Sequence, residues 1–137
     1  MSYGVAVALQ AAIYQVLVSD PAVTGLVGVN VFDELPSGTI PSTYVAIGPE
    51  VTLVRSDKTG TGAEHRVEIA VVSDVAGFAT CKAVGVAISD ALHQADLSLS
   101  RGHLVDLRFD RAVASREEAG TLRRLDLRFV ARVDDGI

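Results

Sequence analysis

Two stretches near the C-terminus alternate apolar and polar residues, and this constrains the fold more than any other feature of the chain. Val105, Leu107 and Phe109 alternate with Asp106, Arg108 and Asp110. After the polar segment SREEAGT, Leu125, Leu127, Phe129, Ala131 and Val133 alternate with Arg124, Asp126, Arg128 and Arg132. Successive side chains of a strand point to opposite faces, so each stretch predicts a strand with one buried face and one wet, charged face. A one-residue slip would exchange those faces, so the register of this hairpin is strongly specified.

Residues 64–73 alternate in the same way, with Val67, Ile69 and Val71 on one side and Arg66 and Glu68 on the other. The β-branched and aromatic runs at 29–32 and 44–47 predict two short strands, separated by the loop DELPSGTIPS. A further extended stretch, 51–54, follows Gly48-Pro49.

Helical spacing appears twice. Over residues 4–18, Val5, Leu9, Ala12, Ile13, Val16 and Leu17 recur at steps of three and four, and Asp20-Pro21 ends the pattern because the residue before proline is pushed out of the α region. Residues 22–27 supply a short helical turn closed by Gly28. Over residues 77–95, Phe78, Cys81, Gly85, Ile88 and Leu92 form one stripe, with Lys82, Asp90 and Gln94 away from it. The element order predicts an α+β fold: a single antiparallel or mixed sheet with two main helices packed on one face. No internal repeat or boundary divides residues 1–137, which read as one domain.

Composition excludes several classes. A hydrophobic share of 49% against 21% charged residues describes a globular chain, not a disordered one. The single cysteine rules out an intrachain disulfide and a cysteine-rich zinc site. No apolar run reaches the 18 or so residues of a membrane span. The opening MSYGVAVALQAAIYQVL lacks the basic start and cleavage site of a signal peptide, which predicts cytoplasmic synthesis. A net charge of −5 disfavours binding to a phosphate backbone and suits a surface that DNA slides past.

No residue pattern reads as a catalytic, cofactor or metal site. Cys81 lies on an apolar helical stripe and reads as a core thiol. His65, His93 and His103 lack any spacing that puts two imidazoles on one metal and read as surface or capping residues. The TGTG of 59–62 is followed by Ala63-Glu64 and a strand, where a phosphate loop needs lysine, a hydroxyl and a helix. Glu117 and Glu118 sit at a turn tip and read as solubilising.

Two polar features remain. The segment Arg55, Ser56, Asp57, Lys58, Thr59, Gly60, Thr61, Gly62 reads as a mobile polar loop between strands. The charged row Arg66, Glu68, Asp106, Arg108, Asp126, Arg128 allows pairing across strands, as either a solvated face or a subunit contact.

Four segments in this order and spacing carry a likeness: SDPAVTGLVG, VFDELPSGTIPSTYVAIG, SDKTGTGAEHRVEIAVVSD and AISDALHQADLSLSRGHLVDLRF. Over about residues 6–129 the chain resembles the DUF3168 family of small phage and gene-transfer-agent proteins, identified with tail completion or tail terminator proteins. Members often carry a tryptophan in or near the third segment; this chain has none, with Val72 before Ser73 there.

The resemblance implies a phage tail-terminator-like fold and a homo-hexameric ring that caps the tail tube, ends its polymerisation and joins it to a head-side connector or stopper protein. It implies assembly in the cytoplasm, a final place at the head–tail junction of a phage or gene transfer agent particle, and DNA passing through the lumen without specific binding. It brings no catalytic residue and no cofactor. It also implies that the 55–63 loop faces the lumen or a stacked partner. The alternative class is a small intracellular ligand-binding or regulatory α+β domain with that loop as a lid. An enzyme using His65 or His103 as a base beneath the same lid lacks a nucleophile, a metal set and an oxyanion arrangement.

Overall fold

The computed structural model describes residues 2–33, 37–55, 62–117 and 120–135. A 3-10 turn over Ser2–Val5 leads into α1 (Ala6–Ser19) and α2 (Pro21–Val27). Then come β1 (Val31–Phe32), β2 (Thr43–Val54), β3 (Gly62–Ser73), α3 (Ala79–Leu92), β4 (His103–Glu117) and β5 (Leu122–Asp134). The strands form one sheet in the order β1-β2-β3-β5-β4. It is mixed, because β1 runs parallel to β2 while every other pair is antiparallel. The helices lie on one face and share a continuous core with it, as the α+β reading requires.

One dipeptide ends the first helix and starts the second. Asp20 takes extended backbone ahead of Pro21, and its Oδ2 then accepts a hydrogen bond from Val23 N at 3.1 Å, capping α2 with proline in the first turn. Gly28 ends α2 at φ +61° and ψ −127°, a conformation open in practice only to glycine. No single described helix is long and apolar enough to cross a membrane; the first two pass by length and composition only as a pair bent by 71°.

Most of each helix stripe packs as its spacing predicts, while Val16 and Phe78 are only half-buried. Val5, Leu9, Ile13 and Leu17 are buried along the N-terminal helix, with Ala8 replacing Ala12, which is half-buried. In α3, Cys81, Gly85, Ile88 and Leu92 are joined by Val84 and Ala87. A Cβ on Gly85 would lie 2.6 Å from Leu125 Cδ2, so this glycine lets α3 settle close onto β5.

The sheet departs from the sequence reading in three places. β2 is continuous through Gly48-Pro49, because a register shift between Ile47 and Glu50 takes the proline, which has no N–H to donate, out of the ladder. In β4, a shift between Leu104 and Asp106 reverses the expected side: Leu104 is buried and Val105 is 60% exposed. A second shift follows Phe109, which is 37% exposed because β4 is the last strand and the helices do not cover its outer half. β5 instead lies between β3 and β4, and all five predicted residues, Leu125, Leu127, Phe129, Ala131 and Val133, are buried.

Candidate assembly surfaces

The sheet face opposite the helices gathers every member of the charged row. Register places Arg66 and Glu68 of β3, Asp126 and Arg128 of β5, and Asp106 and Arg108 of β4 on that face. Glu68 lies directly across from Arg128. The shortest ion pairs form along a strand, and longer ones, Arg124 to Glu117 at 4.0 Å among them, reach across. Arg124 Nε donates to both oxygens of Asp126 at 3.0 and 3.1 Å, Arg66 Nε donates to Glu64 Oε2 at 2.7 Å, and Arg108 reaches Asp106 at 3.3 Å. Between strands, Arg128 approaches Asp110 at 3.5 Å and Arg55 approaches Glu64 at 3.8 Å. The hydrogen bond from Arg66 holds the Glu64 carboxyl below its ordinary pKa, opposed by its partial burial and helped by the charges of Arg66, Arg55 and Arg108.

This face is not uniformly wet. Val130 is 3% exposed, flanked in register by Arg66 on one neighbouring strand and Arg108 on the other. Arginine stems cover apolar surface while their heads stay in water, which accounts for a buried valine on an open sheet. Ala70 and Val72 on the same face are buried too, and Val72 lies between Tyr44 and Arg124. Alternation alone hid this strip; the unbroken apolar runs IAVV at 69–72 and FVA at 129–131 were its signals.

Of the polar loop, Arg55 and Gly62 are described, and residues 56–61 lie outside the described residues. Arg55 N donates to Gly62 O at 2.8 Å, which ties the loop's two ends together at the end of the β2–β3 ladder. A Cβ on Gly62 would come within 2.8 Å of Arg55 O, so the glycine permits that approach.

The residues weighed for chemistry are dispersed. Cys81 is buried among core side chains, and burial pushes its thiol pKa up despite the charge of Arg123, a core thiol as its stripe predicts. His65 is not a surface residue. It is fully buried where β3 enters the core, with Nδ1 3.1 Å from Glu50 Oε2 and 3.2 Å from Thr52 Oγ1, and its ring stacks on Tyr3 at 6.4 Å. His93 does cap, its Nδ1 accepting from Phe109 N at 3.0 Å on the β4 edge. His103 is exposed at the start of β4, and Glu117 is exposed at its end, with Glu118 outside the described residues. Among the described residues no three His, Cys, Asp or Glu side chains gather closely enough to hold a metal.

An open groove of about 590 Å³ runs between α1 and the β1 edge, lined by Val7, Tyr14, Phe32 and Ile47 and bridged by a 2.6 Å hydrogen bond from Gln10 to Asp33. Among the described residues its lining comes from α1, β1, Asp33 and β2, and includes neither Arg55 nor Gly62.

Comparison with known proteins agrees with this arrangement. A search of the curated proteins found no match. Among solved structures, a chain from the structure titled "Virion of native gene transfer agent (GTA) particle" is similar over 97% of this chain and 99% of its own, with 55% sequence identity and a TM-score of 0.93. The family described as tail completion protein gp17 matches over residues 11–134. A match over that much of the sequence, with the same fold at 55% identity, shows that this chain belongs to the tail completion protein gp17 family.

Proposed function

We propose that this chain is the tail terminator of a gene transfer agent or phage-like particle, acting throughout residues 1–137 as one domain. The observation that carries the reading is the end-to-end likeness, at 55% identity, to a chain of a native gene transfer agent virion. Copies of the chain assemble in the cytoplasm into a homo-hexameric ring. The ring caps the tail tube, ends its polymerisation and joins it to the head-side connector, and the chain remains in the particle at the head–tail junction.

This work is structural and assigns no catalytic residue and no cofactor. A ring subunit needs two different complementary edges, so that heterologous contacts close, and two end faces for two partners. The loop Arg55 to Gly62 is the adaptable element that meets a stacked partner or the lumen. The charged row Arg66, Glu68, Asp106, Arg108, Asp126 and Arg128 borders the contacts between subunits. Its three arginines balance its three carboxylates, so DNA passing such a face meets no net positive field to hold it.

Particles produced without the chain should carry overlong tails and unjoined heads in electron micrographs. A variant lacking residues 57–62 should fold, by circular dichroism, yet fail to restore joined particles. Normal tail length and particle yield without the chain would overturn the reading.

A further inference from the structure

The sheet has two open edges, and each is covered at the opposite end. On β2, β1 pairs only with Val45 and Ala46, so among the described residues Glu50 to Val54 has a strand neighbour on one side alone. On β4, Leu107 O accepts from Gln94 N at 2.6 Å and Phe109 N donates to His93, so the connection after α3 covers that edge at Leu107 and Phe109. Beyond it, among the described residues, Ala112 to Arg116 pairs only with β5. A protein that leaves such edges open invites strand addition.

We infer that the ring seam is this pairing: the Ala112–Arg116 edge of one copy adds to the Glu50–Val54 edge of the next. The inference rests on the ring reading above. The occupant is a second copy because both edges belong to one sheet and their directions agree. β2 and β4 run opposite ways along the sheet, so a cyclic arrangement that continues the sheet from copy to copy brings them together antiparallel.

Side chains then select the register. Ala112, Ala114 and Arg116 lie on the helix-side face of β4, and Glu50, Thr52 and Val54 on the same face of β2. One alignment sets Arg116 against Glu50, Ala114 against Thr52 and Ala112 against Val54, and on the other face Val113 against Leu53. Shifting it by two residues in one direction places Arg111 against Leu53; shifting it in the other places Val113 against Arg55. Val113 and Val54 are 41% and 71% exposed in the single copy, and this pairing covers both.

The stagger is consistent with closure. Within one copy, Val54 is level with Leu104 through Ala63 and Val133, while Ala112 is level with Leu127. From Val133 to Leu127 is six residues of β5, roughly 20 Å at about 3.3 Å per residue. Spread over four through-running strands about 4.8 Å apart, that offset tilts the strands by roughly 45° to the ring axis, at the upper end of what closed sheets adopt.

Paired cysteines test the seam. Ala114→Cys with Thr52→Cys in one chain should, on oxidation of the assembled protein, yield a ladder of covalent multimers that reduction dissolves. Ala114→Cys with Leu53→Cys, on opposite faces, should yield none. Because Thr52 contacts His65, Val113→Cys with Leu53→Cys serves as a second pair in the same register and decides the matter if the first does not fold. Cys81 is fully buried and stays out of the reaction. Rings seen in micrographs without a ladder from either pair would overturn the seam while leaving the ring reading intact. Absence of any ring, with tail-tube protein present, would overturn both.

Discussion

Truncating Phe129 and truncating Phe109 should have clearly different costs, although sequence alternation treats the two alike and predicts about 3 to 5 kcal/mol for each. Phe129 is fully buried on β5, with Val67 across from it on β3 and Phe109 on β4, and the two rings meet edge to face at 5.8 Å and 66°. Removing its ring withdraws on the order of 150 Å² of buried apolar surface at about 25 cal/mol per Å² and leaves a closed cavity, so Phe129→Ala should cost about 3 to 5 kcal/mol. Phe109 is already 37% exposed, and its loss opens a notch on an edge strand. Phe109→Ala should therefore cost about 2 kcal/mol. At roughly 3 °C per kcal/mol for a chain of this size, the melting temperatures should fall by about 10–15 °C and about 6 °C respectively. Urea unfolding followed by circular dichroism, below the concentration at which copies associate, measures both. The double variant should show about 1 kcal/mol of coupling from the lost ring contact. Equal costs for the two single variants would refute the edge assignment, and zero coupling would refute the ring geometry.

Two glycines offer a matched contrast. Gly25 sits in α2 with nothing within 4 Å of where a Cβ would stand, so Gly25→Ala should stabilise the fold by about 0.5–1 kcal/mol. Gly85→Ala should destabilise by about 1–3 kcal/mol despite the same gain in helix propensity, because Leu125 occupies the space; thermal melts of the two variants should move in opposite directions. Acid should weaken the fold through Glu64 and Asp135, whose carboxyls are held below their ordinary pKa first by hydrogen bonds from Arg66 and Arg101 respectively. Because the folded values are the lower ones, their contribution is present above about pH 4 and is lost as pH falls through the depressed values. Glu64→Gln should accordingly lower stability at neutral pH by no more than about 1 kcal/mol, with the difference from the parent vanishing in acid.

What the sequence revealed depended on how many neighbours each strand has. The period-two pattern of β5 is realised at all five apolar positions because β3 and β4 flank it and α3 lies across it. The similar pattern of β4 fails at Val105 and weakens at Phe109, because bulges move the register and no strand lies beyond. Bulges and strand order arise from long-range pairing, which no local period records. His65 shows the same limit: its burial follows from Tyr3 stacking on its ring and from Glu50 and Thr52 reaching its Nδ1, contacts made across the chain. The charged row was legible as a face, whereas Val130 was not legible as buried, because the residues that flank it, Arg66 and Arg108, come from two other strands. The misreading at the β4 edge is itself informative. Apolar side chains on both faces there, Phe109 on the helix side and Val113 on the charged side, are partly exposed in one copy, and they adjoin a stretch of β4 that among the described residues pairs only with β5. An open edge flanked by apolar side chains is a surface to which another strand can add, and that is what the inferred seam requires of β4.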